Sequence, residues 1–240
     1  MKLRTTLFSF VIIVGLPAAQ AAPTGYLNDS GQTACYDASN NVADCATVAA
    51  DGGAAPRQDA RFGRDRAGMA KTGGGAAGFD FTKVCFNGDL EGSGTCTGVL
   101  AANTTAAATG TPTTDWACTK DNHTNLIWSL QTVSGITWTA ATATGAGSPI
   151  KAHNDATRCG YSDGWRVPTR RELLSIVHHG AVSPAIDGNY FPGTLSDWYW
   201  SNDAYAPGPA GAWGVVFSDG FTVAYDKTDS LHVRLVRSGQ

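Results

Sequence analysis

Two periodicities alternate along the chain. Phe79-Asp80-Phe81-Thr82-Lys83-Val84, Trp198–Ser201, Ala212–Phe217, Phe221–Tyr225 and Leu231–Arg237 change side at every residue, the period of a half-buried strand. Asn125–Leu130, which carries Trp128, and Ile136-Thr137-Trp138-Thr139 read as two further strands. Trp213, Val215 and Phe217 share one face of their strand. Phe221, Val223 and Tyr225 share a face of the next, and the turn Ser218-Asp219-Gly220 between them predicts a hairpin. Elsewhere the spacing is helical. Ser148-Pro149 supplies an N-cap and a first helical residue, and Cys159-Gly160 a stop. Thr169 and Glu172 have capping-box spacing. Leu173, Leu174, Ile176 and Val177 give that helix an apolar face, and His179-Gly180 ends it. Two helices followed by a run of antiparallel strands predict an α+β domain over residues 115–240.

The chain before that domain reads differently. Lys2 and Arg4 precede an apolar stretch from Leu7 to Leu16 that is too short to span a bilayer. Ala19-Gln20-Ala21 fits a cleavage site, so residues 1–21 read as a signal peptide and the mature chain as starting at Ala22. Nothing later is apolar for long enough to be a transmembrane helix. Residues 22–114 are short polar, Gly- and Ala/Thr-rich stretches, expected to form a loop-rich, disulfide-stapled segment. Gly73-Gly74-Gly75 lacks the Lys-Ser/Thr that a phosphate loop requires. The run Arg57, Asp59, Arg61, Arg64, Asp65, Arg66 mixes charges as a solvated surface does.

Six cysteines in an exported chain point to disulfides, and Cys-x-x-Cys, the usual zinc spacing, does not occur. Local spacing suggests Cys35–Cys45, Cys85–Cys96 and Cys118–Cys159. Losing Lys2 and Arg4 with the signal moves the net charge from -3 to about -5. Residues 115–240 hold nine Lys/Arg against eleven Asp/Glu. Neither balance draws the chain to nucleic acid, and a polyanion would need a local basic patch. Arg166, Arg170, Arg171, Arg234 and Arg237 are the candidates for one. Arg234 alternates with Val233 and Leu235 and should face away from them.

Candidate chemistry is sparse. Gly160-Tyr161-Ser162-Asp163-Gly164 matches the nucleophile-elbow pattern, but Pro168 disfavours the helix that must follow the serine. His178-His179 lacks the i, i+4 spacing of a zinc helix. Asp203, Asp219, Asp226 and Asp229 offer oxygen atoms in loops, as solvated turns do. No catalytic residue, metal or cofactor is assigned. Aromatic side chains beside amides and carboxylates suit a sugar, whose apolar face stacks on a ring while its hydroxyls are hydrogen-bonded. Trp198, Tyr199, Asn202, Asp203 and Trp213 are therefore the candidate ligand-binding residues, and Trp165, Arg166, Pro168, Thr169 and Glu172 the candidate scaffold.

One ordered set of blocks adds to this: Trp116-x-Cys118-x-Lys120-Asp121-Asn122, Thr124-x-Leu126-Ile127-Trp128, Cys159-Gly160-Tyr161-Ser162-Asp163, Trp165-Arg166-Val167-Pro168-Thr169, Tyr199-Trp200-Ser201 and Val233–Arg237. In this it resembles the Lcl C-terminal domain family, named after the Legionella collagen-like adhesin, over roughly residues 115–239. The resemblance implies an exported bacterial domain with a C-type-lectin-like α+β fold. In the adhesin that domain is associated with trimer formation and glycosaminoglycan binding, and no collagen-like Gly-x-y tract occurs here. The expectation is an adhesin-like module, secreted, periplasmic or on the cell surface. Its partner would be a glycan, a glycosaminoglycan or an envelope protein, with homo-oligomers an open option. The alternatives are an assembly subunit of an envelope or appendage complex and an enzyme resembling the formylglycine-generating oxidases, which share the lectin-like fold and use a reactive cysteine pair.

Overall fold

The computed structural model describes residues 29–36, 41–42, 59–64, 70–106, 111 and 113–239. The expected signal peptide and Cys45 lie outside them. In chain order the elements are β1 (Cys35–Tyr36), β2 (Asn41–Val42), α1 (Asp59–Phe62), β3 (Phe81–Cys85), β4 (Ala101–Ala102), β5 (Asp115–Asp121) and β6 (Leu126–Ile136). After these come α2 (Trp138–Thr142), α3 (Pro149–Asp155), a 3-10 turn (Arg158–Gly160), α4 (Arg170–Leu174), β7 (Trp198–Ala204), β8 (Gly211–Val216), β9 (Thr222–Asp226) and β10 (Leu231–Ser238). One sheet dominates, in the order β3-β5-β6-β10-β7-β8-β9, with β4 beside the start of β5. It is a mostly sheet domain with a few short helices.

The middle of the sheet is buried on both faces. Along β6, Leu126 and Trp128 point into a core with Phe79, Phe81, Leu173, Ile176, Tyr199, Val215 and Phe217. Ile127, between them, points the other way, into a core with Trp165, Trp200, Ala212, Val233 and Leu235. A strand buried on both sides is uniformly apolar, which is why Leu126-Ile127-Trp128 shows no alternation. The hairpin into β6 is set by Asp121, whose Oδ1 accepts the N–H groups of His123 and Thr124 at 2.9 and 3.2 Å. Asn125 completes it at φ 56°, a left-handed conformation that asparagine tolerates better than most residues.

The sheet crosses residue 115. β3 pairs antiparallel with β5 from Phe81↔Asp121 to Cys85↔Trp116, and Phe79 and Phe81 are 1% exposed in a core shared with later residues. Cys85–Cys96 and Cys118–Cys159 are disulfides, as the spacing predicts. Cys35 is also disulfide-bonded.

Three expected elements differ. Ile136–Thr139 is not a strand. β6 runs on to Ile136, Gly135 turns it at φ 65°, and the Thr137 hydroxyl caps α2 by accepting the Ala140 N–H. The helix from Ser148 starts as expected, with Ser148 as N-cap and Pro149 inside it, but α3 stops at Asp155. Thr157 and Cys159 then take φ of 49° and 55° as the chain bends to bring Cys159 onto Cys118. α4 ends at Leu174 rather than at His179: the Ser175 hydroxyl takes the Glu172 carbonyl, and the Ile176 N–H turns to Leu173 O at 3.2 Å in place of it. His178 and His179 follow in a loop, where their N–H groups reach Ala185 O and Ser30 O at 2.9 and 2.8 Å.

Two buried arginines stitch the interior together by donating to carbonyl and hydroxyl oxygens rather than to carboxylates. Arg234, fully buried, does face away from Val233 and Leu235. It donates to Ser129 O at 2.9 Å and to Thr194 Oγ1 at 2.8 Å. Arg158 donates to Asn103 O at 2.8 Å, and burial, reinforced by the charge of Arg234, pushes its pKa down to about 10.

His153 is 1% exposed. Its Nδ1 lies 2.9 Å from Pro149 O, a pure acceptor, so Nδ1 carries the proton and Nε2 accepts from Ser129 Oγ at 2.9 Å. Burial, helped by the charge of Arg158, lowers its pKa from 6.5 to about 3. The unfolded chain therefore takes up a proton below pH 6.5 that the folded chain refuses until about pH 3. Stability should fall across that window by up to about 1.4 kcal/mol per pH unit from this group. Urea unfolding of His153→Gln from pH 7 to pH 4 should show a shallower loss than the native chain. Parallel curves would mean that His153 does not stay neutral.

Candidate functional site

The scaffold residues and the candidate ligand residues meet around β7 and α4. Arg166 pairs with Val236 of β10 through both backbone groups, Arg166 N to Val236 O at 3.0 Å and the reverse at 2.9 Å. Its guanidinium grips Glu172 in a two-point ion pair, Nη1–Oε2 2.8 Å and Nη2–Oε1 2.5 Å. Glu172 Oε2 also accepts the Thr169 N–H at 2.7 Å, while Thr169 Oγ1 accepts the Glu172 N–H at 3.2 Å, completing the expected capping box. Pro168 O accepts the Asn202 N–H at 2.7 Å, and Asp203 Oδ2 accepts the Arg170 N–H at 2.7 Å. Trp165 is 3% exposed, edge-on to His153 at 5.2 Å. The Trp165–Thr169 block thus fastens α4 to both β10 and β7, which is a scaffold role.

The five candidate ligand residues do not converge. Tyr199 is fully buried, edge-on to Phe217 at 5.0 Å, and its hydroxyl accepts the Leu195 N–H at 3.0 Å. It anchors the core and cannot meet a ligand. Strand alternation separates the other two aromatics. Tyr199 pairs with Val215, so Trp213, two residues away, lies on the Tyr199 face, while Trp198 lies on the opposite one. Trp213 is packed beneath Arg170, 4.2 Å from its ring centroid, and edge-on to Tyr205 at 5.2 Å. Asp203 joins that group through Arg170, and Asn202 is exposed at the same end of β7.

Trp198 instead keeps company that the sequence reading missed. Tyr225 meets it edge to face at 4.9 Å and Phe221 at 6.5 Å, and Phe221 is 63% exposed. Gly214 leaves the space between Trp198 and Leu231 unfilled: a Cβ there would lie 3.7 Å from each. The result is an aromatic ridge at the edge of the sheet, where the face that carries Trp200 and Ala212 runs out of cover, with Tyr225 still packed against their core. Asp197 stands beside it, its Oδ1 accepting the Trp198 N–H at 2.7 Å and its Oδ2 3.2 Å from His232 Nε2. Burial first, then the charges of Asp197 and Asp229, push the Tyr225 hydroxyl above its ordinary pKa, so it stays a proton donor. The alternation of Phe221, Val223 and Tyr225 carried this signal; that β9 is an edge strand did not show.

The expected basic cluster does not assemble. Arg234 and Arg237 are buried, Arg237 3.5 Å over the Tyr161 ring; Arg166 is paired with Glu172 and Arg170 lies on Trp213. Arg171 is exposed and borders a cleft of about 370 Å³ with Asp29, Ser30, Leu174, Ser175, Val177 and His179. Ser162 lies on an exposed bend between the 3-10 turn and an extended stretch, without the strand and helix that a nucleophile elbow requires. Among the described residues there is no cluster of His, Cys, Asp or Glu able to hold a metal ion.

Glu172 offers a test of the scaffold. Burial raises its pKa, but Arg166 and the Thr169 groups outweigh that and leave it below the ordinary value of 4.5. Its stabilising contribution is therefore full at neutral pH and is lost as pH falls through the folded pKa. Glu172→Gln should be clearly less stable than the native chain in urea at pH 7, and the gap should narrow as acid protonates Glu172. A gap that stays constant down to the pH at which the native chain itself unfolds would show that the carboxylate charge is not what matters.

Comparison with known families gives one match: the model of the Lcl C-terminal domain fits residues 117–237. No curated protein matches the chain.

Proposed function

The chain belongs to the Lcl C-terminal domain family, and from that premise we propose that it is an exported bacterial binding module with a C-type-lectin-like fold that recognises a glycan of a cell surface or extracellular matrix. The observation that carries this reading is the ridge of Trp198, Phe221 and Tyr225, which leaves large rings at the edge of the sheet beside the hydrogen-bonding groups of Asp197 and the Tyr225 hydroxyl. Aromatic surface of this kind costs free energy in water and gains it under the apolar face of a pyranose. The disulfides Cys85–Cys96 and Cys118–Cys159 support an oxidising compartment. No helix among the described residues is long and apolar enough to cross a membrane. The reading assigns the chain no reaction.

A second reading, an assembly subunit, draws on β9. Among the described residues it is the last strand of the sheet, and one row of its backbone groups faces no neighbouring strand there. Another chain could add there.

The two readings separate on an array of immobilised glycans probed with the oxidised protein. The glycan reading expects saturable binding to at least one saccharide, weakened by Trp198→Ala and by Phe221→Ala. Binding to none of them, or binding indifferent to both substitutions, would count against it.

A further inference from the structure

Resting on the reading of the ridge as a glycan site, we infer that the ridge takes a neutral saccharide chain and rejects sulfated or uronic glycosaminoglycans. The inference comes from what surrounds the rings. Asp197 lies at the start of β7, directly before Trp198. Asp219 lies in the β8–β9 turn, where its Oδ1 accepts the Phe221 N–H at 3.0 Å. Asp226 ends β9 beside Tyr225, its Oδ1 accepting from Thr228 N at 3.0 Å and Thr228 Oγ1 at 2.8 Å, and Asp229 follows in the same turn. These bonds fix the carboxylates at both ends of the ridge. Those from Thr228 also hold Asp226 below the ordinary carboxylate pKa.

The cations of the same region are already engaged. Lys227 lies 4.5 Å over the Trp138 ring and donates to Pro209 O at 2.8 Å. His232 faces Asp197 and the Tyr199 ring. Arg170 is on the opposite face of the sheet, over Trp213. A polyanion laid along the ridge would thus meet the carboxylates of Asp197, Asp219, Asp226 and Asp229 against the single ammonium of Lys227, an excess of negative charge that disfavours both encounter and binding.

Carboxylates beside aromatic rings could also suit a cation, but a quaternary ammonium needs rings gathered around one point. Here Phe221 and Tyr225 both pack edge to face with Trp198, centroids at 6.5 and 4.9 Å, so the rings fill the space around one another and wall no open cage. Acceptors at the ends of the ridge match the hydroxyls of a neutral pyranose, which are donors.

The test titrates the oxidised full chain with cellohexaose, laminarihexaose, chitohexaose and yeast mannan, and separately with heparin and chondroitin sulfate. Tryptophan fluorescence is followed at low and high salt. The expected result is saturable binding of a neutral probe, with an affinity insensitive to salt and reduced roughly tenfold by Phe221→Ala. Phe221 is exposed enough that its loss does not threaten folding, so this variant stands even where Trp198→Ala is poorly folded. Heparin or chondroitin sulfate bound in a Phe221-dependent manner would overturn the charge inference and leave the glycan reading intact. Heparin bound independently of Phe221, with no neutral probe bound, would overturn the inference and place the glycan site elsewhere. Failure of every probe to bind would overturn both.

Discussion

Within the sheet, β7 and the strands beyond it join the rest through one narrow seam. β10 meets β7 in a single parallel pairing, His232↔Tyr199, where the other main-sheet neighbours share longer ladders. A seam that short is reinforced by side-chain bonds that run past β10, from β7 to β6 and α2. The Trp200 indole N–H donates to Ile136 O at 2.9 Å, and the Trp138 indole N–H donates to Ser201 O at 2.9 Å. Beneath them the Tyr199 hydroxyl lies 3.3 Å from Thr132 Oγ1 of β6. Two indoles and a phenol thus do across the seam what a ladder of amides does elsewhere, because an unpaired polar group in a dry interior is costly. The placement of β8, β9 and the ridge relative to the rest of the domain follows from these bonds.

The same sheet explains why recognition and scaffolding separate. On the inner side, α4 covers β7 and β8, and Trp213, Arg170 and Asp203 are used up in holding it there. On the other face, Trp200 and Ala212 lie in the second core and Tyr225 packs against it, while Trp198 is half-buried and Phe221 is 63% exposed. Odd or even position on β7 decides which face a residue takes, and its place along the strand decides whether that face is covered: Trp198 and Trp200 share a face, yet Trp200 is fully buried.

That parity was legible in the sequence; what lay against each face was not. The alternation of residues 212–217 and 221–225 located the hairpin, and Thr169 with Glu172 located the start of α4. Ser148-Pro149 likewise marked the start of α3. The errors come from tertiary demands on local pattern. Trp138 leaves strand geometry so that its indole can reach Ser201, and α4 stops early where the Ser175 hydroxyl takes a carbonyl of its last turn and the Ile176 N–H turns to Leu173 O. Tyr199 looked like a binding aromatic because its neighbours are polar and aromatic, whereas its burial depends on β8 and β10, which lie far along the chain. Phe221 and Tyr225 were overlooked for the converse reason. Nothing local reveals that their strand ends the sheet.

The partnership of β3 with β5 bears on how this polypeptide can be divided. The family match begins at residue 117, inside β5. A fragment cut there would lose Phe79 and Phe81 from the middle of a core, lose Cys85 and Cys96 together, and turn an interior strand into a raw margin. The evolutionary unit and the cooperative unit therefore have different borders. Excision for expression must begin upstream of Gly73, whose backbone already rests on Asp80, if the excised piece is to retain its hydrophobic closure.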